Sequence, residues 1–282
     1  MVKSPLRYPG GKSKAIHFLQ SYIPHAFSEY REPFFGGGSV GFYIAQQYPN
    51  TTCIANDLNY ELYSFWESLK TNQASLIQQI QTIKNEFHDG KALYDLLIKR
   101  RGSNSTPLQK GIDFFILNRI TFSGTVDSGG YSNQSFHNRF TQSAIDRLEQ
   151  AAKIIKHFEL FSSDFESIIT QPAEDCFIFL DPPYYSATKS KLYGKNGDLH
   201  VGFEHERLQK VLRDTPHKWL MTYDNCEEIK HLYKDFTIIE WDLQYGMNNY
   251  KQTHAKKGKE LLIANYDIVS PPPRQGDLCL NL

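Results

Sequence analysis

The stretch "YREPFFGGGSVGFYIAQQYPNTTCIAND", residues 30–57, decides the fold. "YREPFF" predicts a short strand entering the glycines 36–38, "SVGFYIAQQY" has the apolar spacing of a helix, and "TTCIAND" predicts a second strand ending on Asp57. Strand, glycine turn, helix and strand make a βαβ unit. Before it, residues 14–23 predict a helix stopped by Pro24. The rhythm returns late in the chain. "HFELFSSDF", "CFIFLD", "KWLMTYD", "FTIIEWDL" and "ELLIANYDI" predict strands, with "HERLQKVLRD" a helix among them. Such alternation specifies an α/β fold, a mostly parallel sheet with helices on its faces.

Between the two halves the pattern changes. From Leu58 to about Phe158 apolar residues recur at threes and fours, as in "LYSFWESLK" and "IDFFILNRI", so this segment is mainly helical. One stretch interrupts it: "TFSGTVDSGGYSNQSFHNRFT", residues 121–141, predicts an exposed hairpin or long loop. From Lys91 to Lys156 there are ten Lys and Arg against five Asp and Glu, an excess of five positive charges in a chain whose formal net charge is zero. Residues 1–57 and 158–282 thus form one α/β domain interrupted by an inserted helical segment, 58–157, and the proline-rich 270–282 reads as a loose tail.

Composition narrows the classes further. The 282 residues are 40% hydrophobic and 22% charged, ordinary values for a globular protein. No run approaches a membrane span, and the basic, polar "MVKSPLRYPGGKSK" has no secretory h-region, so a cytoplasmic protein is expected. The four cysteines, at 53, 176, 226 and 279, have no metal-ligand or disulfide spacing and read as incidental thiols.

Three stretches carry chemistry. Gly36, Gly38 and Gly41 satisfy G-x-G-x-x-G, and Asp57, 21 positions after Gly36, stands where an acid meets ribose hydroxyls. A nicotinamide oxidoreductase fits that fingerprint, but Glu32 and Pro33 interrupt its strand and a carboxylate there opposes a pyrophosphate. A nucleoside with a positive centre, such as S-adenosylmethionine, suits the geometry better. "RYPGGKSK", residues 7–14, is not a phosphate loop, because that pattern needs glycine where Leu6 stands; it is a glycine turn bringing Gly10 and the Lys12 ammonium toward a ligand carboxylate. The third stretch, Asp181-Pro182-Pro183-Tyr184-Tyr185, ends a core strand on an acid. Proline offers a carbonyl and no N–H, and Pro183 forces Pro182 to be extended. Asp181 and the Pro182 carbonyl therefore form a cluster of acceptors, fit for an exocyclic amine whose ring lies on Tyr184. Two acceptors on the amine hydrogens stabilise the positive charge that grows on nitrogen during methyl transfer. No metal is called for.

In this order, "RYPGGK", "EPFFGGGSV", "ANDLN", "NRITFSG", "SSDF", "DPPYY" and "KELLIANY" resemble the Dam-like (D12 class) N6-adenine-specific DNA methyltransferases along nearly the whole chain. The resemblance implies a class I S-adenosylmethionine-dependent methyltransferase (Rossmann-like) fold whose insertion 58–157 recognises the DNA target. It implies that Tyr8, Gly10 and Lys12 contact the cofactor, that Phe34, Gly36 and Gly38 border it, that Asp57 binds its ribose, and that Asp164 and Phe165 bracket its adenine. Asp181, also next to the cofactor, and Pro182 would hold the target amine, and Tyr184 would stack on a base extruded from duplex DNA. Arg100, Arg101, Asn118, Arg119, Ser123, Tyr131 and Arg139 of the insertion, with Lys189 and Lys191 after DPPYY, are the expected DNA contacts; Lys195 and the stretch from Lys251 to Lys257 with His254 are further candidates. The Dam pattern would have an arginine shortly after "FSG", where "TVDSGG" stands here, so the resemblance does not assign GATC as the recognition sequence. A monomer, a separately acting restriction endonuclease or a solitary, phage-type role all agree with the sequence. A DNA-binding protein without catalysis is opposed by the intact Asp181, Pro182 and Tyr184; RNA or protein-amide relatives commonly carry Asn in place of Asp181.

Overall fold

The computed structural model describes residues 1–101, 103–185, 202–244 and 257–268. Seven strands form one sheet: β1 Glu29–Glu32, β2 Thr52–Asn56, β3 Phe158–Phe161, β4 Cys176–Leu180, β5 Lys218–Asp224, β6 Thr237–Gln244 and β7 Lys257–Ala264. Their order is β3-β2-β1-β4-β5-β7-β6. Pairings among β1 to β5 are parallel, while β7 lies antiparallel between β5 and β6. This is the arrangement of a class I methyltransferase. β4 is buried at all five positions, as a central parallel strand covered on both faces must be.

The sheet order reverses direction between β1 and β4, and ligands of open α/β sheets bind outside the carboxyl ends of the strands at such a point. Here those ends lead into the glycines and into Asp181. Asn56, 2% exposed, ties this edge together. Its Nδ2 donates to the carbonyls of Pro33 and Ser163, and its Oδ1 accepts from the Ser163 N–H.

The helices between β2 and β3 are α3 Tyr60–Thr71, α4 Gln73–Glu86, α5 Gly90–Arg101, α6 Pro107–Ile120, α7 Asn133–Arg139 and α8 Gln142–Ile155; α1 Ile16–Leu19 and α2 Ser39–Gln47 precede them. Side-chain caps set their starts: Asn59 accepts from the N–H groups of Glu61 and Leu62, Thr106 from Gln109, Ser132 from Ser135 and Thr141 from Ala144. α6 is buried on every side from Gly111 to Ile120. The insertion shares its core with the sheet: Trp66 of α3 packs on Phe35 and Phe42, at ring separations of 5.4 and 5.6 Å.

Two expectations need correction. The helix foreseen over 14–23 shortens to α1, preceded by a 3-10 turn at Lys12–Lys14 from which Lys12 is drawn inward to Asp181. Of the hairpin or long loop expected over 121–141, the structure has the loop over 121–132 and a helix after it. The segment forms a 3-10 turn at Phe122–Gly124, one bridge between Thr121 and Tyr131, and then α7, started by Ser132. Lys189, Lys191, Lys195, Lys251, His254, Lys256 and the 270–282 tail lie outside the described residues, as does the side chain of Lys257.

Candidate active site

A cavity of about 840 Å³ opens at the reversal point, lined by the 8–12 turn, the glycines, Asp57, Asp164, Phe165 and Asp181 to Tyr184. Gly36 and Gly38 have φ of 49° and 67°, conformations that L side chains rarely adopt. Added Cβ atoms would meet the Tyr8 ring at 2.8 Å and the Phe35 ring at 2.6 Å, so Tyr8 seats directly on the glycine turn. Asp57 accepts from the Gly36 N–H at 2.8 Å and from the Asn59 N–H at 2.9 Å. Burial pushes its carboxyl up to about 6, partly offset by those two bonds. Phe34, Phe165 and Phe203 form an aromatic wall with ring separations of 5.6 to 5.7 Å. Asp164 caps α9 (Phe165–Ile169), and Arg207 of α10 (His205–Asp214) pairs with it while its guanidinium carbon sits 4.7 Å from the Phe165 ring centroid.

Asp181 occupies the opposite wall, just past β4. Lys12 Nζ, 3% exposed, donates to its Oδ1 and Oδ2 at 2.7 and 2.9 Å, and Thr222 Oγ1 of β5 donates to Oδ1 at 2.8 Å. Oδ1 thus accepts twice and Oδ2 once, which fixes the carboxylate and leaves an acceptor direction on Oδ2. Lys12 also donates to the Tyr184 hydroxyl at 2.9 Å, and that hydroxyl donates to Glu260 Oε1 of β7 at 2.9 Å. One face of the Tyr184 ring is backed by Tyr223, 5.9 Å away at 27°. Among the described residues no donor reaches the Pro182 carbonyl. Lys12, expected to approach a ligand carboxylate, lines the cavity with its ammonium paired to Asp181. The charge argument about Glu32 changes. Burial pushes that carboxyl well up and favours the neutral acid, which accepts from the Tyr30 hydroxyl at 2.8 Å.

A family model described as D12 class N6 adenine-specific DNA methyltransferase matches residues 8–247. The chain belongs to that family. Similar proteins include Type II methyltransferase M.MjaIII of Methanocaldococcus jannaschii, 26% identical over 94% of this chain and 99% of the relative. Type II methyltransferase M.CviBI of Paramecium bursaria Chlorella virus NC1A is 26% identical over 94% and 100%. Type II methyltransferase M1.LlaDCHI of Lactococcus lactis is 24% identical over 92% and 94%. The protein is an adenine-specific DNA methyltransferase, an enzyme that uses a methyl donor and takes DNA as substrate.

The methyltransferase divides the expected DNA contacts into two groups. Arg101 is 11% exposed and held between Glu61 and Asp127, whose attraction outweighs the cost of burial, and Arg100 pairs with Asp113 at 3.2 Å. Asn118 is fully buried and exchanges bonds with Arg7: Oδ1 accepts from its N–H, and Nδ2 donates to its carbonyl and to that of Gly124. Arg101 and Asn118 thus spend their polar atoms inside the fold, while the Arg100 side chain stays 28% exposed with one bond, to Asp113. Arg119 differs. It is 3% exposed, yet among the described residues its Nε and Nη2 have no hydrogen-bond partner, and a buried Arg7 Nη1 has none either. Burial, then Arg147, Arg7 and Arg139, lower the Arg119 guanidinium to about 9, so it is charged at neutral pH.

Ser123, with φ of 55°, faces the cavity beside Phe122, whose ring is 64% exposed; Tyr131 donates to Asn133. The sequence reading missed Phe122, Arg7, Arg207, Thr222 and Glu260. Phe122 and Glu260 stand inside the quoted motifs "NRITFSG" and "KELLIANY" and could have been found there; Thr222 and Arg207 had no local signal.

Proposed function

We propose that the methyl donor is S-adenosylmethionine and that the target is an adenine turned out of duplex DNA into the cavity. The observation that carries this reading is the fixed Asp181 carboxylate opposite the Gly36–Gly38 turn and Asp57, within one cavity. The residues present fit the donor. The glycine turn and the Tyr8 ring seated on it line the cavity, Asp57 has lone pairs for a ribose diol, and the Phe34–Phe165 wall suits a flat ring. When bound, the donor supplies an electrophilic methyl group. Asp181 Oδ2 and the Pro182 carbonyl accept the two hydrogens of the adenine amine, drawing density onto N6 as charge develops there. Tyr184 stacks on the base, and alignment lowers the remaining barrier.

The insertion 58–157 acts as the DNA-recognition unit. Arg7, Arg119, Arg139 and Arg147 form a carboxylate-free cluster; among the described residues none of the four makes a salt bridge. Arg139 and Arg147 are the exposed members, and a backbone phosphate on them offsets the repulsion that the cluster exerts on buried Arg119. The exposed Phe122 ring at the cavity mouth offers stacking surface where the extruded base leaves a gap. Ser123 and Tyr131 are placed for polar contacts in a groove. The similarity to type II methyltransferases supports pairing with a separate restriction endonuclease. We assign a monomer in the cytoplasm; among the described residues no helix is long and apolar enough to cross a membrane.

The test is transfer of label from S-adenosylmethionine to duplex DNA, with modified bases mapped by single-molecule sequencing. N6-methyladenine at a recurrent short motif is the expected result. Donor binding without label in DNA would overturn the duplex assignment.

A further inference from the structure

Methylation of an amine ends with a surplus proton. N6 gains the methyl carbon, the donor's sulfur keeps the bonding pair, and the nitrogen, now cationic, must shed one hydrogen. The proposed function brings that hydrogen to Asp181. What happens next is written in four side chains that form an unbroken line away from the cavity: Asp181, Lys12, Tyr184 and Glu260, linked at 2.9, 2.9 and 2.9 Å through Oδ2, Nζ, Oη and Oε1.

We propose that Glu260 is the proton acceptor of the reaction, reached from Asp181 through Lys12 and the Tyr184 hydroxyl. Asp181 takes the N6 proton. Lys12 passes one of its protons to the Tyr184 oxygen as Tyr184 passes its own to Glu260 Oε1, and Lys12 is refilled from Asp181. At the end Asp181, Lys12 and Tyr184 are unchanged and Glu260 is a neutral acid. The proposal rests on the reading of Asp181 as holder of the target amine.

Three observations make Glu260 the end of the line. It is 1% exposed, and among the described residues its buried Oε2 has no partner, so it serves no second structural contact there. Burial, opposed by Lys12 and reinforced by Asp181, pushes its carboxyl up to about 7, far better matched to accepting a proton at neutral pH than an ordinary glutamate. Burial also raises Tyr184 well above the usual phenol range, so its hydroxyl relays a proton and does not store a charge. The groups facing Glu260 are Lys12 from the N-terminal turn, Asp181 and Tyr184 after β4, Asp224 paired opposite it on β5, and the uncharged Trp241 paired opposite it on β6.

The sign follows directly. The acceptor must be ionised, so the single-turnover rate falls as pH drops through about 7. Glu260→Gln keeps an oxygen to accept from Tyr184 but cannot take a proton. Its single-turnover rate on duplex DNA should drop about 10²-fold or more, with donor and DNA affinities unchanged and the acid limb near pH 7 gone. Tyr184→Phe, which keeps the ring, should lose the same limb. The combined variant should be no slower than the slower single one. Retention of the limb in both single variants would overturn the relay, even if both are slow, because that is what a purely positional role produces. An active Asp181→Ala would instead overturn the underlying reading of Asp181; an inactive one beside a fully active Glu260→Gln removes only the relay.

Discussion

At the scale of single residues, Asp181 owes its competence to three hydrogen bonds from Lys12 and Thr222 that fix which lone pair faces the cavity. Asp181→Ala should lower single-turnover methyl transfer about 10³-fold or more, as removal of a transition-state contact does, while DNA affinity measured by anisotropy stays within a factor of a few. A variant keeping most of its rate would remove the carboxylate from the chemistry. Asp57 carries a second residue-scale prediction. Its folded value of about 6 lies above its ordinary 3.8, so between these the native state binds more protons than the unfolded chain. Its contribution to stability is therefore present at acid pH and lost as pH rises through about 6. A ribose diol donates to the ionised form, so calorimetric donor affinity should weaken as pH falls through the same value. Asp57→Asn should flatten that dependence; an unflattened curve assigns it elsewhere.

At the scale of elements, α3 crosses α6 at its closest where α6 carries Gly111. A Cβ there would lie 2.7 Å from the Ser64 carbonyl oxygen and 2.9 Å from the Phe65 Cα. Both neighbours are backbone and cannot swing aside. Gly111→Ala should cost about 1–3 kcal/mol in urea unfolding, the usual penalty of overpacking, despite alanine's better helix propensity; a neutral or stabilising result would mean the helices separate freely. The two buried arginines of the insertion should respond in opposite ways. Arg101→Met takes the guanidinium away from Glu61 and Asp127, and breaking a buried pair costs about 3–5 kcal/mol. Arg119→Met removes a buried charge that faces three other arginines and, among the described residues, no carboxylate, while a methionine keeps contact with the Phe115 ring, so stability should hold or rise while DNA affinity falls and the salt slope shrinks by about 1. A slope unchanged by Arg119→Met would take that arginine out of the interface.

At the scale of the whole molecule, the sheet was largely legible because its strands are short apolar runs ending on chemistry: β1 into Glu32-Pro33, β2 onto Asp57, β4 onto Asp181. Those endings place the cavity without knowledge of the strand order. The insertion was less legible. Charge counting finds an excess of base but cannot say which arginine has a carboxylate beside it, since Glu61 and Arg101 are 40 positions apart and meet only after α3 and α5 pack. The same holds within the site, where Lys12 meets Asp181 across a separation of 169. Glycine and serine in 121–141 suggested open loop, whereas Ser132 was the cap of a helix.

One strand of backbone near the N-terminus touches both halves of the enzyme's task. Arg7 is stitched through its N–H and carbonyl to Asn118 at the end of α6, one position before Arg119, and the next residue, Tyr8, lies on the glycine turn. In the proposed reading, donor and DNA therefore bear on adjacent links of the same chain. If seating the donor steadies this segment, it steadies the platform of Arg119 as well, and thermodynamic reciprocity then binds the two ligands: whatever factor the donor adds to DNA affinity, DNA must add to donor affinity. An enzyme arranged in this way would hold its methyl group most firmly when a duplex is already in its grip.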